Sequence, residues 1–138
     1  MTTAVVDASV VAPYLLADEA GDQSDRVLNL LTEGGAIVPQ HWRLELANVG
    51  LQAVRRRRIT PAEFDEGLKL LAEFQIAVDP DTDRHAWRRT VGLAKLHQLT
   101  SYDAAYLDLA MRRSLQLATR DKSLIAAAER ESVLLFPL

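Results

Sequence analysis

The sequence contains no cysteine. That excludes a disulfide framework, thiolate zinc sites and a cysteine nucleophile. It fits a reducing compartment, and a cytoplasmic location is expected. No apolar run approaches the ~18 residues of a membrane span, and no basic stretch precedes an apolar one at the N-terminus, so neither an anchor nor a secretory leader is expected. A strong charge of one sign is missing too. The formal net charge of −3 gives no global field that announces a nucleic-acid partner, so any such case rests on local clusters. What remains is 138 residues of ordinary globular composition, enough for one domain over 1–138 with a real core.

Short β-branched runs alternate with helical spacing along the chain. TAVV (3–6) reads as a strand that ends at Asp7, and ASVVAPYLL (8–16) as a helix bent at Pro13. DEAGD (18–22) reads as a polar loop. Val27, Leu28, Leu30 and Leu31 mark a helix stopped by Gly34 and Gly35, and AIV (36–38) is a second strand closed by Pro39. A long helix is expected from His41 to Arg57, and another opens with Thr60 as N-cap and Pro61 in the first turn. IAV (76–78) is a third strand. Residues 83–98 form a helix through Trp87, Val91, Ala94 and Leu96, and the helix bearing Asp103 follows. LQLAT (115–119), KSLIAAAERE (122–131) and VLLF (133–136) read as strand, helix and strand. Strands separated by helices need crossovers, which predicts an α/β fold with a mainly parallel sheet covered on both faces.

Sites in open parallel sheets form beyond the carboxyl ends of the strands. Asp7 follows the first strand and Asp121 the fourth, while Asp103 opens the helix that feeds the fourth strand. Thr100 followed by Asp103 has the form of a capping box with Asp in the acidic position, and Ser101 offers a second cap, so Asp103 has a structural role open to it. In HWRLELANVGLQA (41–53), Trp42, Leu46, Val49 and Ala53 mark the buried stripe, and Glu45 lies on or beside it. A carboxylate there is costly unless compensated. Each acid alone has a plain reading as a cap or an ion-pair partner. Gathered in one cleft, four carboxylates either share protons or bind a divalent cation, and hard oxygen donors suit Mg²⁺ or Mn²⁺.

VVDASV (5–10), the Glu45 helix after Pro39, TSYDAAYLDLA (100–110) and LATRDKSL (117–124) resemble the PIN-domain ribonucleases, most closely the VapC-type toxins of bacterial and archaeal toxin–antitoxin pairs. The resemblance spans nearly the whole chain, in both the order and the spacing of the acids. It implies a three-layer α/β/α sandwich and a metal site of Asp7, Glu45, Asp103 and Asp121 holding Mg²⁺ or Mn²⁺, with Glu45 binding directly or through water. It implies hydrolysis of RNA to a 5′-phosphate and a 3′-hydroxyl, with Ser9 and Thr119 as supporting hydroxyls. It further implies a homodimer and a cognate antitoxin protein that blocks the site. A PIN nuclease acting in RNA processing or on structured DNA without an antitoxin, and a non-catalytic docking module, are the alternatives. A haloacid-dehalogenase-type phosphatase needs an Asp where Ser9 stands, and a receiver domain needs an acidic pair and a late Lys that the sequence does not convincingly supply.

Other features read more plainly. Arg120, beside Asp121, and Arg43, near Glu45, are candidates for RNA phosphate contact. RRRR (55–58) reads as a solvated helix end favoured by the dipole. Asp108 lies roughly 140° around the helix from Asp103 and should point away. His41, His85 and His97 lack metal-ligand spacing, and Asp79, Asp81 and Asp83 read as an acidic loop without the glycine and distal Glu of a calcium site. Tyr102 and Tyr106 could stack bases, but their helical spacing in an apolar segment favours core packing or a dimer face.

Overall fold

The computed structural model describes residues 3–16, 21 and 24–138. Of the expected loop at 18–22, all but Gly21 lies outside the described residues. Four three-residue strands, β1 (Ala4–Val6), β2 (Ala36–Val38), β3 (Ile76–Val78) and β4 (Gln116–Ala118), form one parallel sheet in the order β3-β2-β1-β4. Val5 and Val6 point to opposite faces, yet both are fully buried. Both faces are therefore covered, and the sheet is the centre of an α/β/α sandwich. β3 is the exposed edge, with Ala77 and Val78 open to solvent.

Among the described residues, seven α-helices make the connections: α1 (Asp25–Thr32), α2 (Trp42–Arg55), α3 (Pro61–Ala72), α4 (Thr82–His85), α5 (Val91–His97), α6 (Ser101–Arg113) and α7 (Lys122–Arg130). The chain steps outward from β1 to β3, then α4 to α6 carry it back to the far side of β1. The direction of winding reverses between β1 and β4, so a crevice forms at their carboxyl ends. Val6 is level with Ala118, and the Asp7 N–H donates to Ala118 O at 2.9 Å. Asp7 and Thr119 therefore leave the sheet side by side.

Sequence signals explain several boundaries. Thr60 and Glu63 complete a reciprocal capping box on α3. The α2 stripe buries Trp42, Leu46 and Ala53, as its spacing predicts. α2 ends at Arg55 through Arg57 in a left-handed conformation (φ 59°), with Arg57 N–H bonded to Val54 O and Arg58 N–H to Ala53 O. All four arginines of 55–58 are exposed, as a solvated helix end requires.

Three expectations need correction. Residues 8–16 are not an α-helix but two 3-10 turns, Ala8–Val10 and Ala12–Tyr14. Pro13 supplies no N–H, and Val10 and Val11 resist helical crowding, so i→i+3 bonds take over. Residues 133–136 do not form a full strand. One parallel bridge, Leu117 to Leu135, is all that pairs there, with Pro137 unable to extend the ladder and Leu134 exposed. The helix expected at 83–98 is interrupted by a π turn over Ala86–Thr90. Its apolar spacing is no buried stripe, because Trp87 is 92% and Leu96 68% exposed.

Candidate active site

Asp7 ends β1 and is 4% exposed. Its Oδ2 accepts from Ser9 Oγ at 2.8 Å and from Thr119 Oγ1 at 2.7 Å. Thr119 Oγ1 also accepts from the Asp121 backbone N–H at 3.0 Å, and Ser9 Oγ accepts from the Arg120 N–H at 3.0 Å. Two hydroxyls thus stitch the loop after β1 to the loop after β4. Asp121 is the N-cap of α7, its Oδ1 accepting from the Leu124 N–H at 2.8 Å.

Thr100, not Ser101, caps α6 by accepting from the Asp103 N–H at 3.1 Å. That bond fixes the backbone of Asp103 and leaves its carboxylate to face the other acids. Glu45, one turn into α2, accepts from Tyr106 Oη at 2.7 Å and lies 2.9 Å from His41 Nε2. His41 Nε2 is also 3.2 Å from Tyr102 O, and its ring meets the Tyr106 ring edge-on at 5.4 Å.

The four acids interact electrostatically. Burial pushes the Asp7 carboxyl up to about 6; the Thr119 and Ser9 hydroxyls pull against it, and the nearby Asp103 and Glu45 charges push further. Asp103 is raised by burial, then by Asp121 and Glu45, with Thr100 and His41 opposing. The Tyr106 phenol is driven above its ordinary range by burial and by the charges of Glu45 and Asp7, so it stays a donor to Glu45. A cation would relieve this crowding, and carboxylate oxygens are the donors that Mg²⁺ and Mn²⁺ take. Among the described residues, no three His, Cys, Asp or Glu side chains converge as a ready-made cage. The donor set fits an ion held by a few carboxylates and completed by water and substrate.

Of the remaining sequence candidates, Arg120 borders the site. Arg43 is exposed and stacks over Trp42, 5.8 Å from the ring centre, while Arg120 is exposed beside Ser9 and Asp121. Asp108 points away from Asp103, into a buried network in which Arg89 Nε reaches Asp108 Oδ1 at 2.6 Å and Arg112 Nε reaches Asp108 Oδ2 at 2.8 Å. The reading of 79–83 as a plain acidic loop needs correction. Asp79 is fully buried and bonds Arg112 at 2.5 Å. Tyr106 is core, whereas Tyr102 is 61% exposed and is not. His97 pairs with Glu131 at 2.7 Å.

Two members of the acid cluster were missed by sequence reasoning: His41 and Tyr106. Their signals were present. His41 stands four residues before Glu45, and Tyr106 three after Asp103, each one helical turn away on the same face.

Comparison with known proteins identifies the family and the fold. The PIN domain profile matches residues 4–130. Ribonuclease VapC3 of Pyrobaculum aerophilum is 30% identical over 133 residues, which is 96% of this chain and 98% of that protein. The crystal structure of PAE2754 from Pyrobaculum aerophilum matches with a TM-score of 0.66 at 27% identity, over 91% of this chain and 84% of that one. With the profile matching nearly the whole chain and a relative 30% identical across it, the chain belongs to the PIN-domain family.

Proposed function

We propose that this chain is an Mg²⁺- or Mn²⁺-dependent endoribonuclease and the toxin of a toxin–antitoxin pair. The observation that carries the reading is the mutual electrostatic crowding of Asp7, Glu45 and Asp103, with Asp121 beside them, at the crevice where the sheet reverses. The name of the relative Ribonuclease VapC3 supports RNA as substrate.

Asp7, Asp103 and Asp121 would hold the ion, with Glu45 binding directly or through water. When bound, the ion supplies Lewis-acid activation of water and offsets charge on a phosphodiester oxygen. The protein's own part is positional. Ser9 and Thr119 lock the Asp7 carboxylate, Thr100 and the α7 cap lock the backbones of Asp103 and Asp121, and Tyr106 and His41 hold Glu45, the group placed to orient the attacking water. Attack at phosphorus breaks the bond to the 3′ oxygen, which takes up a proton, leaving a 5′-phosphate and a 3′-hydroxyl. A homodimer and a cognate antitoxin belong to this proposal as partners.

The second reading is a docking module that binds RNA without cutting it. One experiment separates the two. Purified, antitoxin-free protein is incubated with a mixed cellular RNA pool plus Mg²⁺, Mn²⁺ or chelator, beside Asp7→Asn. The nuclease cuts at discrete positions with metal only, and Asp7→Asn does not. RNA binding with no cutting under either metal selects the docking module. Cutting that survives Asp7→Asn overturns the site.

A further inference from the structure

Beside the acid cluster lies a cavity of about 410 Å³, lined by His41, Thr82, Trp87, Ser101, Tyr102 and Ala105 among others. Its size falls in the range of small-ligand sites. The cavity adjoins the candidate site through His41, which lines it and also lies 2.9 Å from Glu45. Ser101 lies in the α6 first turn with Asp103. Trp87 and Tyr102 are largely exposed although both are large aromatics. The π turn at Ala86–Thr90 contributes to this: its buried Thr90 and the Arg89 ion pair to Asp108 anchor the segment, while Trp87 is left on the surface.

The chemistry of the walls selects the occupant. Among the described residues, no Lys or Arg lines the cavity while Asp83 does, so a phosphate is disfavoured. Aromatic faces and the Ser101 hydroxyl, which makes no hydrogen bond among the described residues, suit a flat neutral group with polar edges. Resting on the ribonuclease reading, we propose that this cavity takes one unpaired nucleobase of single-stranded RNA, next to the scissile phosphate, stacked against Trp87 and Tyr102. A base splayed from its neighbours and laid on aromatic side chains is how unpaired RNA is commonly recognised. The cavity would then select single strands over duplexes and help to choose the cleavage position.

The test is binding in chelator, where no cleavage occurs, of homopolymeric single-stranded oligoribonucleotides of each base and of an abasic ribose-phosphate oligomer. Binding is read by fluorescence anisotropy of end-labelled oligomers, a signal that does not depend on Trp87. The wild-type protein is expected to bind at least one base-bearing oligomer more tightly than the abasic one. Trp87→Ala and Tyr102→Ala are each expected to lose about tenfold in affinity and most of that discrimination, with Trp87→Phe recovering it. Both side chains are exposed, and circular dichroism checks that the variants fold. Equal binding of abasic and base-bearing oligomers, or unchanged affinity in both Ala variants, overturns the proposal. If metal-dependent cleavage persists in that case, the nuclease reading stands while the base site falls. If the wild-type protein neither binds nor cuts RNA, both fall. A drop in sedimenting mass in the Ala variants with RNA affinity intact overturns it in favour of a second copy covering this face.

Discussion

Thr119 Oγ1 donates to Asp7 Oδ2 at 2.7 Å and accepts from the Asp121 N–H at 3.0 Å, so one hydroxyl ties the acid after β1 to the acid after β4. Thr119→Val keeps the shape and removes both bonds. Cleavage is expected to fall by roughly 10–100-fold, the range for groups that position metal-binding side chains. Thr119→Ser should restore most of the rate. Initial rates on a defined RNA check this, and a Thr119→Val protein as fast as wild type would remove Thr119 from the machinery.

Asp7 carries a stability cost with a definite sign. Its carboxyl rises from 3.8 to about 6 on folding, so the folded state holds the proton more tightly than the unfolded chain. The metal-free protein therefore loses stability through this group as pH rises from about 4 to about 6, and the loss is complete above that. The shift corresponds to at most ~3 kcal/mol. In chelator, Asp7→Asn should melt higher than wild type at pH 7, with the difference shrinking toward pH 4. Melting curves of the pair that stay parallel across this window would rule the effect out.

Arg112 holds together a second acid pair. Burial alone would raise the Asp79 carboxyl, but its bonds to Arg112 outweigh that and hold it below the ordinary range. Arg112→Ala removes the main partner of buried Asp79 and leaves Asp108 to Arg89 alone, and breaking a buried pair in this way typically costs ~3–5 kcal/mol. A urea midpoint within error of wild type would show that the two acids find other partners, Arg89 and Arg113 being the nearest.

α2 and α3 touch through Gly50. A Cβ there would sit 2.1 Å from the Phe64 ring. Gly50→Ala is expected to destabilise by ~1–3 kcal/mol, the usual range for overpacking. Adding Phe64→Leu should return part of that loss. Additive effects in this double-mutant cycle would place the strain elsewhere.

The strands, their parallel pairing and the α2 stripe were legible because β-branched runs and 3.6-residue spacing are local signals. Asp7 and Asp121 could be placed at strand ends, Asp103 at a helix start and Glu45 beside the α2 stripe for the same reason. Trp87 and Leu96 were misread because periodicity reports a possible apolar face, not whether anything packs on it, and a π turn rotates the face partway along. Asp79 escaped notice because its partner Arg112 is 33 residues away. Pairing across the fold leaves no trace in local spacing. The short turns at 8–16 followed from Pro13 and paired valines, whose combined effect outweighed the helical pattern.

The join between Asp7 and Thr119 spans 112 residues. During synthesis Asp7 is made 112 residues ahead of Thr119, before β4 and the α7 cap. Non-local contacts of this kind close late. The crevice therefore cannot be assembled on a growing chain until translation of the domain is nearly finished, which separates the making of the protein from its use.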